Sequence, residues 1–154
     1  KNKIKTLTDK KGDLAQGSMA KFFHKELLEK NFIFKKLYVE GKDTDIKNIL
    51  MNYFNAISKV YVEEWENAEK KYILTKTTGF NSFMLFFLDL IKLANDKDIP
   101  LSTSFFEKYL VSAKPNFMVL NSINYPTGVV GQNKIRDTLR NSLSSEEKNL
   151  LNIS

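Results

Sequence analysis

The sequence predicts an all-α fold, a single compact domain of about five to six helices with at most a minor β-hairpin. Residues 46–61 and 80–94 repeat apolar side chains at the i, i+3, i+4, i+7 spacing of a helix that buries one face. The 154 residues suit one domain, and the 42% hydrophobic content, with 12 Phe and 6 Tyr, is sufficient for a core.

The N-terminal third begins with a polar segment and continues as a helix. Residues 1–17 are lysine-rich and are expected to lead in from an upstream domain, so that residues 18–154 form the helical domain. Residues 18–30 carry apolar side chains at helical spacing, with Ser18 as a candidate N-cap. Residues 32–39 show no clean period and are predicted to be a short strand or an extended linker.

Capping patterns locate two further helix starts. Asp43 or Thr44 is placed to cap the stripe that begins at residue 46. Ser104 and Glu107 have the spacing of a capping box, and the helix that they open is predicted to stop at Pro115.

The remaining elements are shorter. The acidic residues between positions 63 and 69 predict a solvated turn, with Trp65 packed against the core. A helix is predicted over residues 132–143, and residues 144–147 start a last polar helix or tail.

The composition excludes several classes of site. The chain has no cysteine and one histidine, His24, so disulfides, thiolate metal sites and multi-histidine metal sites are excluded. No nucleophile–base pair is recognisable, and we predict no catalytic residue, cofactor or metal. The longest apolar run, residues 83–88, is far shorter than the roughly 20 residues of a membrane span, and no secretory signal opens the sequence. We therefore expect a cytoplasmic protein without a membrane partner.

The net charge of +6 is unevenly distributed. Residues 1–36 account for the whole excess, and the rest of the chain is balanced. The cations are nearly all lysine, whereas arginine is the better reader of phosphates and base edges. Nucleic-acid binding and the composition bias of an AT-rich genome both explain this pattern.

Two loops combine hydroxyl groups, glycine and basic residues just before, or within the first turn of, a predicted helix. Because helix N-termini present unpaired N–H groups and partial positive charge, we predict that these loops bind phosphate or another anion. The alternative is that the glycines and threonines only cap helices and turn the chain. The candidate residues are Lys76, Thr77, Thr78 and Gly79 in the first loop, and Gly128, Gly131, Gln132, Lys134 and Arg136 in the second.

Neither loop is a recognised nucleotide-binding motif. In the second loop, Gln132 occupies the place where a P-loop carries lysine. No strand–helix–strand unit surrounds the glycines, which excludes a dinucleotide fingerprint.

The same loops carry a family resemblance. The segment Tyr72–Phe80 follows Tyr53–Ile57 and Glu64–Trp65, and this order resembles the C-terminal region of DGQHR-domain proteins. The segment Tyr125–Gln132 resembles the glycine-rich part near the end of that region. The likeness spans residues 10–143. The family includes the B-type regulator of bacterial DNA phosphorothioation, and its members occur among DNA-modification and mobile-element genes, so the resemblance implies a DNA-related role.

The Asp-Gly-Gln-His-Arg signature itself is absent, since His24 lies in Phe23-His24-Lys25. The resemblance thus implies a C-terminal, non-catalytic piece whose partner is the signature-bearing upstream domain. Two functions are expected from these observations. One is contact with nucleic-acid phosphates through the two loops and the N-terminal lysines. The other is assembly, in which an apolar patch of Phe32, Phe34 and Tyr38 packs on the upstream domain. The oligomeric state is left open.

Overall fold

The computed structural model describes residues 4–5, 14–67 and 71–154 and confirms the all-α fold class. Most of the predicted lead-in, residues 1–17, lies outside the described residues, as do residues 68–70. The helices, in chain order, are α1 Gln16–Phe22, which continues as a π-helical segment Phe23–Glu29, α2 Phe32–Val39, α3 Asp43–Val60, α4 Val62–Glu66, α5 Thr77–Asp96, α6 Thr103–Ala113 with a 3₁₀ turn Lys114–Asn116, α7 Val129–Arg140 and α8 Ser145–Leu150.

Strand structure in the described residues is minimal. Two strands of two residues each, β1 Ile4–Lys5 and β2 Leu14–Ala15, pair in parallel, so they do not form a hairpin. One isolated antiparallel bridge joins Tyr72 to Asn121.

Helix α5 is the centre of the fold. Phe83, Met84, Phe87 and Ile91 are almost completely buried, as the apolar pattern of this segment predicted. Helix α7 packs closely along α5, and helices α3 and α6 pack closely on each other. The rings of Tyr53 in α3 and Phe106 in α6 both contact the Phe87 ring of α5.

Tyr53 of α3 and Tyr61, the C-cap residue of α3, connect this helix to its neighbours. The Tyr53 hydroxyl donates to the Phe83 carbonyl at 2.6 Å, and the Tyr61 hydroxyl donates to the Leu110 carbonyl at 3.4 Å. Burial raises the pKa of both phenols well above the usual value of 10, so both remain protonated donors at neutral pH.

The prediction of a strand or extended linker over residues 32–39 is wrong, because this segment forms helix α2. The Asn31 side chain caps this helix by accepting from the amides of Ile33 and Phe34. Phe34 is fully buried against Phe87, with ring centroids 5.7 Å apart. The helical period is obscured in the sequence because the exposed face of α2 is apolar too.

Other boundaries also differ from the prediction. Helix α3 begins at Asp43 itself, and its N-cap, Lys42, makes no side-chain cap bond. Helix α6 is capped by Ser102, whose hydroxyl accepts from the Phe105 amide at 3.2 Å, so the Ser104–Glu107 box is not formed. The acidic stretch after residue 61 forms the short helix α4, and the described residues contain eight α-helices where five to six were predicted.

Glu147 fastens α8 to the rest of the domain. Its carboxylate and the Ser144 side chain form a capping box at the start of α8. The same carboxylate accepts from the Tyr109 hydroxyl at 2.6 Å and from the Lys97 ammonium at 3.0 Å. Burial opposes ionisation, but the bonds from Tyr109, Ser144 and Lys97 outweigh it and lower the pKa of Glu147 from 4.5 to about 2.

We expect Glu147→Gln to reduce the free energy of unfolding at pH 7 by about 2–3 kcal/mol. A carboxyl group with a lowered pKa stabilises the fold above its unfolded pKa, and this stabilisation is lost as the pH falls through its folded pKa. The gap between wild type and variant should therefore close between about pH 5 and pH 2 in urea unfolding curves. Glu146→Gln, at an exposed acid of the same turn, is the control; a gap that is constant with pH contradicts the assignment.

Candidate anion-binding site

The two glycine loops enter their helices in the same way. Gly79 is the third residue of α5 and Gly131 is the third residue of α7, so both lie inside the first turn and not in the preceding loops. A Cβ atom on Gly79 would lie 2.2 Å from the Ile73 carbonyl oxygen, and one on Gly131 would lie 1.6 Å from that of Pro126. In each case the incoming loop lies directly on the helix, and only glycine leaves the space for it.

The structure brings the two loops together. The backbone amide of Ile73 donates to the Leu120 carbonyl at 2.9 Å, beside the bridge that joins residues 72 and 121. The Thr78 hydroxyl oxygen accepts from the Gly128 amide at 3.2 Å. The first turns of α5 and α7 are therefore neighbours.

Helices α5 and α7 run in the same direction. They touch through Thr78 and Gly128 at their N-terminal ends and through Asp89, Arg136 and Arg140 farther along both chains. The N-termini of α5 and α7 consequently lie at the same end of the domain, where the partial positive charges of the two helix dipoles are side by side.

Neither N-terminus carries its own neutralising group. The N-cap residues Lys76 and Gly128 make no side-chain cap bond, and the first turns of α5 and α7 contain no acidic residue. By contrast, α8 has both a side-chain cap and two acids in its first turn. Two such helix ends together suit an anion, which accepts from amides that lack a side-chain partner.

Gly128 adopts a backbone conformation that side chains rarely tolerate. Its φ of 86° and ψ of −163° lie in a region that is essentially restricted to glycine. This conformation ends the loop and lets the Gly128 carbonyl accept from the Gln132 amide at 3.0 Å, which starts α7. Gln132 itself is half-buried.

The predicted cations fall into two groups. Lys76 and Thr77 are exposed at the start of α5. The Lys134 ammonium donates to the Asn124 carbonyl at 2.8 Å and lies 5.3 Å from the centre of the Tyr125 ring, so this exposed side chain leans over the second loop. Of the three predicted cations, Lys76 and Lys134 are thus the exposed ones.

Arg136 is occupied elsewhere. Its guanidinium and that of Arg140 each make two hydrogen bonds to the carboxylate of Asp89, at 2.8–3.3 Å. Asp89 is buried, and the two arginine side chains are 25% and 20% exposed. The structure therefore places Arg136 in a helix–helix ion cluster, apart from the group formed by the two loops.

Sequence reasoning missed this cluster and the bond between Thr78 and Gly128. A signal for the cluster is visible in retrospect, because the only two arginines are four residues apart and Asp89 interrupts an apolar helix. No sequence signal pairs the two loops, since residues 78 and 128 are distant along the chain.

Comparison with known proteins returns no matching family model, curated protein or solved structure. Within the described ranges, no helix has the length and apolar character needed to cross a membrane. The same residues contain no cluster of three or more His, Cys, Asp or Glu side chains that could hold a metal ion.

Alanine at either buried glycine should disrupt the loops. We expect Gly79→Ala and Gly131→Ala each to lower the free energy of unfolding by about 2–4 kcal/mol, because the new methyl group meets backbone that cannot move independently. Chemical denaturation measures the change. Gly17→Ala is the matched control, since a Cβ atom there meets nothing within 4 Å, and an equal loss in all three variants would contradict the packing argument.

Proposed function

We propose that this chain is a non-catalytic helical domain of a DGQHR-type protein linked to DNA modification or mobile elements, and that its paired helix N-termini contact backbone phosphates of nucleic acid. The observation that carries the proposal is the convergence of the two loops through Thr78 and Gly128. The resemblance of residues 72–80 and 125–132 to that family supplies the DNA-related role.

The charges on this surface favour phosphate over base recognition. Two uncapped helix ends offer amides, and Lys76 and Lys134 add flexible point charges. Amides and lysines fix position on a phosphate backbone without reading sequence. Binding in this mode is sequence-independent and weakens steeply with salt.

The test measures the affinity of the chain for a labelled 20-base-pair DNA, as fluorescence anisotropy between about 50 and 200 mM salt. We expect the double variant Lys76→Ala/Lys134→Ala to bind about tenfold more weakly, with a salt slope smaller by about 2, because each phosphate contact contributes about 1. Arg136 is left intact because its removal would leave the buried Asp89 carboxylate with only the two hydrogen bonds from Arg140.

The control is Lys47→Ala/Lys108→Ala, which removes the same charge from exposed positions on α3 and α6. Its affinity and slope should change much less. If both double variants lose the same affinity, the effect comes from net charge alone. If the salt slope of Lys76→Ala/Lys134→Ala is unchanged, the proposed phosphate contact is wrong.

A second candidate is a protein–protein assembly domain, and the surface of α2 favours it. Phe32, Tyr38 and Val39 are 78%, 56% and 77% exposed, which is unusual for neighbouring apolar side chains. Phe34, which the sequence placed in this patch, is buried in the core and does not belong to it.

For this candidate we expect self-association, or association with the upstream domain, through α2. Sedimentation velocity of the chain at increasing concentration, alone and mixed with the upstream domain, measures it. Phe32→Ser/Val39→Ser should weaken the association at least tenfold, whereas Val111→Ser, at a 58% exposed valine of α6, should not. A chain that stays monomeric in both experiments would exclude the assembly role.

A further inference from the structure

A cavity of about 340 Å³ lies between α1, α3, α4 and α5, and none of the residues found to line it belongs to α7. Core side chains form its floor: Met84 is fully buried, and Ile57 and Phe83 are 2% exposed. Met51 and Asn55, one turn apart on α3, are exposed and mark its mouth. The cavity therefore has a floor of buried side chains and opens to solvent beside α3.

The lining is aromatic and rich in sulfur. Three of the four methionines of the chain, Met19, Met51 and Met84, line the cavity. They lie beside Phe54, Phe80 and the only tryptophan, Trp65. Methionine is flexible and makes favourable contacts with aromatic rings, and phenylalanine and tryptophan rings pack edge-to-face with a further ring. Such a lining fits a planar aromatic guest better than a branched aliphatic one.

The charge and size of the guest follow from the same residues. None of the lining residues found in the described part of the chain is charged, so a charged group inside the pocket would lose its hydration without a partner. A cavity of about 150 Å³ holds benzene, so a pocket of 340 Å³ has room for roughly two fused rings.

Three residues with polar side-chain groups other than Trp65 line the cavity: Thr75 is buried, and Asn55 and Ser58 lie toward the mouth. The Ser58 hydroxyl donates to the backbone carbonyl of Asn55 at 2.9 Å, so the hydroxyl oxygen can still accept a hydrogen bond. The Asn55 side chain adds an amide group at the same part of the cavity. Ser58 is half-buried and Asn55 is exposed. They suit one hydrogen-bonding substituent at the outer edge of the guest.

We propose that this cavity binds a small, uncharged, planar aromatic molecule with a single polar substituent. This site is separate from the phosphate-binding surface, and neither proposal depends on the other.

The methionines give a direct readout. In the full chain labelled with ¹³C at the methionine methyl groups, 2-naphthol is titrated and the four methyl resonances are followed by NMR. We expect the signals of Met19, Met51 and Met84 to shift along one saturable curve. Met118, which is 59% exposed and does not line the cavity, should stay in place as an internal control. The charged analogue 2-naphthalenesulfonate should bind at least tenfold more weakly.

Blocking the mouth tests the location. Met51→Trp should weaken 2-naphthol binding at least tenfold, whereas Met118→Trp should not change it. The methyl shifts of the wild-type chain decide the proposal even if the first variant fails to fold. It is overturned if no saturable shift occurs below the solubility limit of 2-naphthol, if Met118 shifts together with the other three, or if the sulfonate binds equally well.

Discussion

The attachment of α7 to α5 through Asp89 is the constraint on which the candidate site depends. A buried carboxylate is costly unless it is fully hydrogen-bonded, and here Arg136 and Arg140 supply four bonds in two forks. The two arginines are one turn apart, so satisfying both forks fixes the rotation of α7 as well as its position along α5. The direction of α7 follows, and its first turn lies beside that of α5.

The hydrogen bond from the Gly128 amide to the Thr78 hydroxyl is the second point of attachment, at the opposite end of the same helix pair, and two glycines fit the incoming loops beside it. Gly131 lets the Pro126 carbonyl lie against α7, and Gly79 does the same for Ile73 at α5. Two parallel helices held side by side place like partial charges together, which is unfavourable without a compensating group. Three other helices, α3, α4 and α8, carry acidic residues in their first turn, as with Glu147 at the start of α8. Under the proposed function, a bound phosphate would supply the compensating negative charge at α5 and α7.

The sequence predicted the parts of the fold that depend on local periodicity. The stripes of α3 and α5 were clear because each helix is long and buries one broad face. Helix α2 was missed because it is short and exposes Phe32 and Val39, so its apolar residues follow no single face. Ser102 and Ser104 are chemically equivalent as caps. Which of them caps α6 depends on the path of the chain after Pro100, and tertiary contacts determine that path. The sequence predicted the candidate site residues one by one, but that the two loops meet depends on Asp89 and on contacts between residues about fifty positions apart.

The arginines change the interpretation of the net charge. Scarce arginine argued against a protein that reads bases, and the structure strengthens that argument because Arg136 and Arg140 both bind Asp89. Every other cationic side chain except His24 is a lysine. Lysine is a hydrated point charge without the planar fork that recognises a guanine edge. Any nucleic acid that this surface contacts would therefore be held through its backbone, and the choice of a target sequence would have to come from a partner such as the proposed upstream domain.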